Sequence, residues 1–82
     1  MQLSALLVTV DPARFDAYLD TARRMPGVDV HHVDTVRHRA ILTIEAVDAD
    51  ESMDRFNALN RLEGCLTISL VEHRFDDDAE SA

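Results

Sequence analysis

The stretch DPARFDAYLDTARRMPG, residues 11–27, decides the fold, because its pattern returns 37 positions later as DADESMDRFNALNRLEG, residues 48–64. The two segments share few letters, yet their punctuation coincides. An aspartate opens each one; Asp11 is expected to cap the first helix N-terminus, and Asp48 or Asp50 the second. Pro12 fits a first helical turn. Apolar residues then recur at helical spacing: Phe15, Tyr18 or Leu19, Ala22 and Met25 in the first copy, Met53, Phe56, Leu59 and Leu62 in the second. Gly27 and Gly64 close the two copies, the residue type that suits a helix C-terminal cap.

Strands flank each helix. Residues 3–10, LSALLVTV, are rich in Val, Leu and Thr and stop at Asp11-Pro12. Residues 28–33 alternate Val28 and Val30 against Asp29 and His31. A turn over residues 34–38 leads into a third strand at 39–47, and a fourth runs over 65–73. The order β-α-β-β-α-β, with each half punctuated alike, is a split βαβ repeat. Right-handed crossovers put both helices on one face of a four-stranded antiparallel sheet. The expected fold is therefore α+β and ferredoxin-like, with strands in the spatial order 4-1-3-2. Residues 1–74 form the domain, and residues 75–82, FDDDAESA, read as an acidic flexible tail.

Parity along the strands divides the sheet. Leu6, Val8, Val10, Leu42, Ile44, Leu66, Ile68 and Leu70 belong to the more apolar alternations and are expected under the helices. The opposite parity leaves Ala5, Leu7, Thr9, Thr43, Glu45, Thr67, Ser69 and Val71 on an open face. That face is half apolar, small and hydroxyl-rich. Such a surface suits solvent, a second copy of the chain, or a docked peptide, and is too flat for a small-molecule pocket.

Composition narrows the function classes. Eighty-two residues make one domain, with 46% hydrophobic and 29% charged residues and a formal charge of −8. Phosphate binding needs clustered cations, so nucleic acid and anionic membrane surfaces are excluded as partners. A basic partner is the natural complement. Cys65 is the single cysteine, which excludes an internal disulfide. The N-terminus lacks the basic segment of a secretory signal, and no apolar run approaches a membrane span. Arg23-Arg24 lies mid-chain and is followed by Met25-Pro26-Gly27, not by an apolar stretch. Location in the cytoplasm is expected.

Candidate chemistry is sparse. His31 and His32 are adjacent in a strand, which is expected to send them to opposite faces and away from any shared metal. His38 falls in a turn and His73 near the chain end. Cys65 follows a helix stop, where a thiol packs as a small hydrophobe, and no base pattern marks it as a nucleophile. No catalytic residues, metal or cofactor are expected. Glu45 is the lone carboxylate of its strand; it is either solvated or placed to receive a guanidinium, since such pairs are directional. Glu72 and Asp76-Asp77-Asp78 add to the same negative field.

The segments LSALLVTVDP, MPGVDVHHVD, AILTIEAVD and LNRLEGCLTISLVEH, spread over nearly the whole chain, resemble the NapD family. That family comprises cytoplasmic maturation chaperones of periplasmic nitrate reductase. The resemblance implies a ferredoxin-like fold and a chaperone that binds the twin-arginine signal peptide of the reductase catalytic subunit. Binding would delay export until the molybdenum cofactor is inserted. On this chain the peptide would meet the open face, with Glu72 added to the residues named above, and the protein would be a monomer or weak homodimer. Three positions depart from the family pattern: Glu72 stands where Tyr is common, Cys65 where Val is usual, and the 34–40 turn DTVRHRA has no glycine. The reading of a different class is a small-molecule-sensing regulatory dimer of the same fold, which would need glycine-bearing loops at a dimer interface. A third, a cofactor-free oxygenase or isomerase, would need a buried polar dyad, with Glu45 and a strand histidine as its one candidate.

Overall fold

The computed structural model describes residues 1–75. The acidic run Asp76-Asp77-Asp78 expected to form a tail lies outside the described residues. Six principal elements succeed one another in the order expected: β1 (Gln2–Val10), α1 (Phe15–Arg24), β2 (Val28–Asp34), β3 (Arg39–Ala46), α2 (Ala49–Arg61) and β4 (Cys65–Phe75). The strands form one antiparallel sheet in the order β2-β3-β1-β4. This is the 4-1-3-2 arrangement that the split repeat requires.

Local chemistry explains the boundaries. Asp11 accepts a hydrogen bond from Ala13 N at 3.0 Å, but the turn it caps is a short 3-10 segment, Pro12–Arg14, that precedes α1. Asp48 caps α2 by accepting from Glu51 N at 2.8 Å, while the Glu51 carboxylate reaches back to accept from Val47 N at 3.0 Å. That reciprocal arrangement is a variant of the capping box. Gly27 closes the first half at a φ of 76°. A Cβ at that position would lie 2.6 Å from the Glu45 carbonyl oxygen, so only glycine fits the close approach. The two halves clasp each other here: Gly27 O accepts from Glu45 N, and Gly64 O accepts from Asp11 N, both at 2.8 Å.

The core lies between the sheet and the helices. Leu6, Val8 and Val10 of β1 and Leu42 and Ile44 of β3 are essentially inaccessible, and Phe15, Leu19, Ala22 and Leu59 close over them. Tyr18 is buried with them and donates its hydroxyl to Leu59 O at 2.8 Å, tying α1 to the last turn of α2. Burial raises the phenol well above its ordinary range, with the neighbouring Cys65 thiol adding to the shift.

Three residues expected in this core are outside it. Met53, Leu66 and Leu70 are 58%, 60% and 53% exposed. Leu70 does point to the helix side, opposite Leu6. It is uncovered because β4 is the edge strand and α2 leaves an apolar groove of about 280 Å³ between Met53, Phe56 and Leu70. Leu66 is displaced by a register shift: Thr9 faces Thr67 but Val10 faces Cys65, so Leu66 is the extra residue of a bulge.

Candidate functional site

The strand registers lay out the open face in rows. In the first row Glu45 pairs with Leu3, which faces Arg74. Asp29, Thr43, Ala5 and Glu72 form the second row. Ile41, Leu7 and Ser69 form the third. Arg39, Thr9 and Thr67 form the fourth, with Asp34 beside Arg39. Ala5, Leu7, Thr9, Thr43, Glu45, Thr67, Ser69 and Glu72 therefore share one face. Leu7, Ile41 and Thr43 are half-buried at its centre, and Glu45, Thr67, Ser69 and Glu72 are exposed at its margins.

Val71 is a special case. Leu6 faces Leu70 and Ala5 faces Glu72, so Val71 is the extra residue of a second β4 bulge. It is 60% exposed. The same insertion reverses the parity beyond it. Strict alternation from Ser69 would send Glu72 to the helix side; the bulge brings it back to the open face. His73 correspondingly reaches the helix side, where it lines the groove by Met53 and approaches Gln2 Oε1 at 3.2 Å.

The expectation that His31 and His32 diverge is overturned by a third bulge. Val30 faces Leu42 and Val33 faces Ala40, leaving two histidines opposite the single residue Ile41. His31 Nε2 lies 2.8 Å from the Thr43 hydroxyl, an open-face group. His32 lines a shallow cavity of about 270 Å³ with Leu7, Ile41 and Arg39, also on that face. Both imidazoles are thus on the open side. Among the described residues no group of three or more His, Cys, Asp or Glu could hold a metal ion.

The charges of the face are unevenly placed. Glu72 Oε2 accepts from Arg74 Nε at 2.7 Å, which compensates that carboxylate. Asp29 and Glu45 have no ion-pair partner among the described residues. At the other end Asp34 pairs with Arg37 at 3.4 Å and lies 3.9 Å from Arg39. Backbone hydrogen bonding at Arg37 and Val36, led by the Arg37 amide, holds the Asp34 carboxyl below its ordinary value. The Arg39 Nε is buried with no hydrogen-bond partner among the described residues. Away from the face, burial pushes the Cys65 thiol up, partly offset by Tyr18, so it is a poorer nucleophile than a free cysteine.

Sequence reasoning missed Asp29, Arg39, Ile41 and the histidines as members of this face. Ile41 and Arg39 share the parity of Thr43, and Asp29 is placed by its register with Thr43. The histidines depend on a bulge that no glycine or proline marks.

These features define a ferredoxin-like α+β domain with helices on one side of its sheet and a mixed apolar and charged face on the other. The chain belongs to the NapD family: the family model described as NapD protein matches residues 1–77. It is 25% identical over 79 residues to Chaperone NapD of Escherichia coli K12, an alignment that covers 96% of this chain and 91% of the relative. The same identity and coverage hold for Chaperone NapD of Shigella flexneri. The fold is similar to the solution structure of the E. coli Tat proofreading chaperone protein NapD. That match has a TM-score of 0.81 and 24% identity, covering 92% of this chain and 79% of the other. No described helix is long and apolar enough to cross a membrane.

Proposed function

We propose that this chain is a cytoplasmic chaperone that binds the twin-arginine signal peptide of the periplasmic nitrate reductase catalytic subunit. By holding the peptide it delays export until the molybdenum cofactor is inserted. It acts by binding, without turnover of its own. The observation that carries this reading is the open face. Half-buried Leu7 and Ile41 occupy its centre, and Asp29 and Glu45, carboxylates with no ion-pair partner among the described residues, stand at one end. A signal peptide of this type joins cations to an apolar segment. Burying that segment over Leu7 and Ile41 supplies affinity, and carboxylates orient it and speed its encounter. The length and family of the chain support the same reading, since its match to the NapD model runs over residues 1–77.

Titration of the isotopically labelled chain with the signal peptide, followed by amide NMR shifts, tests this. The expected shifts fall on β1, β3 and β4 residues of the open face, Leu7 and Thr43 among them. Shifts confined to the helices around Phe15 and Phe56, or no binding of any twin-arginine peptide, would refute it.

A further inference from the structure

The open face has a direction as well as a chemistry, and the direction assigned to its ligand rests on the peptide-binding reading. Carboxylates and cations gather at opposite ends of β1. Around Leu3 and Ala5 stand Asp29, Glu45 and Glu72 against one guanidinium, Arg74. Around Thr9 stands Arg39, with Arg37 nearby and the Asp34 carboxylate between the two guanidinium groups. The apolar pair Leu7 and Ile41 lies between the two ends. Ala5 and Thr9 are separated by four residues, a span of roughly 14 Å along an antiparallel strand.

Two of the carboxylates stand apart. Glu72 is engaged by Arg74 at 2.7 Å, whereas Asp29 and Glu45 have no ion-pair partner among the described residues. Asp29 faces Thr43, and Glu45 is two residues further along the same strand. The two carboxylates are therefore diagonal cross-strand neighbours on one face, about 7–8 Å apart at the backbone. That spacing serves two adjacent arginines better than either carboxylate alone. A guanidinium placed at the other end would meet Arg39, and like charges there are repulsive.

We infer that Asp29 and Glu45 receive the arginine pair of the peptide and so fix its direction. The cationic end lies at the Asp29–Glu45 corner, and the apolar stretch runs over Leu7 and Ile41 toward Thr9, parallel to β1. Arg39 acts as the repulsive element that excludes the reversed pose. Asp29 and Glu45 set direction; Leu7 and Ile41 supply affinity.

The test uses the labelled full chain and a synthetic peptide with two adjacent arginines followed by a leucine-rich stretch. A nitroxide is attached to the peptide at its N-terminus in one sample and at its C-terminus in another. The N-terminal label is expected to broaden the Asp29 and Thr43 amides at least about tenfold more than those of Thr9 and Thr67, since broadening falls with the sixth power of distance over this ~14 Å span, and the C-terminal label to do the reverse. Asp29→Asn combined with Glu45→Gln should abolish that contrast and weaken binding about tenfold, the sum of two partly exposed ion pairs. Asp16→Asn, an exposed carboxylate of α1 away from this face, should leave the contrast in place. A reversed or equal pattern on the open face overturns the assigned direction while leaving the peptide-binding face intact. Broadening confined to the helices, or no binding by the unaltered chain, overturns that face itself.

Discussion

Leu6 and Leu7 are neighbours in β1, and the two sides of the sheet make them different residues. Leu6 is fully inaccessible beneath α1 and α2, while Leu7 is half-buried on a face that no described helix covers. On the covered side, apolar contact replaces water and polar groups are few: Ser4 is the buried polar residue among the described residues, and the Tyr18 hydroxyl is satisfied by Leu59 O. On the open side, Leu7 and Ile41 keep contact with solvent among hydroxyls and charges. An apolar residue in a strand thus reports where a partner is needed. Only the topology tells whether that partner is inside the chain.

The largest effect should come from emptying the covered side. Leu42→Ala is expected to cost about 2–5 kcal/mol, because a fully buried leucine leaves a cavity. Chemical denaturation followed by circular dichroism would measure it, and peptide binding should fall only as the folded fraction falls. A much smaller cost would break the contrast between the two sides.

Leu7→Asp addresses the open side. Stability should shift by about 1 kcal/mol or less, whereas affinity for a twin-arginine peptide should drop at least about tenfold, since apolar contact is replaced by a solvated charge. Calorimetric titration beside the denaturation curve separates the two quantities. Unfolding of the variant would place Leu7 in the core after all.

Tyr18→Phe is expected to cost about 1–2 kcal/mol by leaving Leu59 O without its donor. The pH dependence gives an independent signature. The folded chain keeps the phenol protonated beyond the ordinary value near 10, where the unfolded chain already releases its proton. The native state thus binds more protons, and stability falls as pH rises above about 10. Denaturation midpoints between neutral and alkaline pH should show that loss in the unaltered chain and less of it in Tyr18→Phe.

The smallest effect should fall on the groove side of β4. Leu70→Thr is expected to cost less than about 1 kcal/mol, because the side chain is already half exposed and threonine keeps a strand-compatible branch. A cost like that of Leu42→Ala would mean that α2 closes over Leu70 in solution.

The architecture was legible because the capping aspartates, the apolar helical stripes and the glycine stops recur together at one offset. Parity along β1 and β3 was legible for a related reason: these central strands pair without interruption over Gln2–Thr9 and Arg39–Ala46, so alternation alone assigns their faces. The edge strands were not. Bulges at His31-His32, Leu66 and Val71 each insert one residue, and each insertion reverses the parity beyond it. None is announced by a glycine. Leu66, Leu70 and Met53 illustrate a second limit, since hydrophobicity records a preference for burial and says nothing of whether α2 reaches far enough to provide it. Of the candidate face, the apolar centre and Glu45 were readable from parity. Asp29 and Arg39 became members only once register linked β2 to β3.

The edge strand has a further consequence for handling the protein in the tube. Residues Cys65–Val71, CLTISLV, form an uncharged run without proline on a strand whose outer edge pairs with nothing among the described residues. Short segments of that composition stack into cross-β fibrils when their edges meet. Bulges at Leu66 and Val71 interrupt the flat template, and mutual repulsion between chains of formal charge −8 keeps the edges apart at neutral pH. That second protection fades as the solution approaches the isoelectric point of about 4.7. Mildly acidic, concentrated stocks are therefore where β4 turns from a wall of the domain into a seed for precipitation.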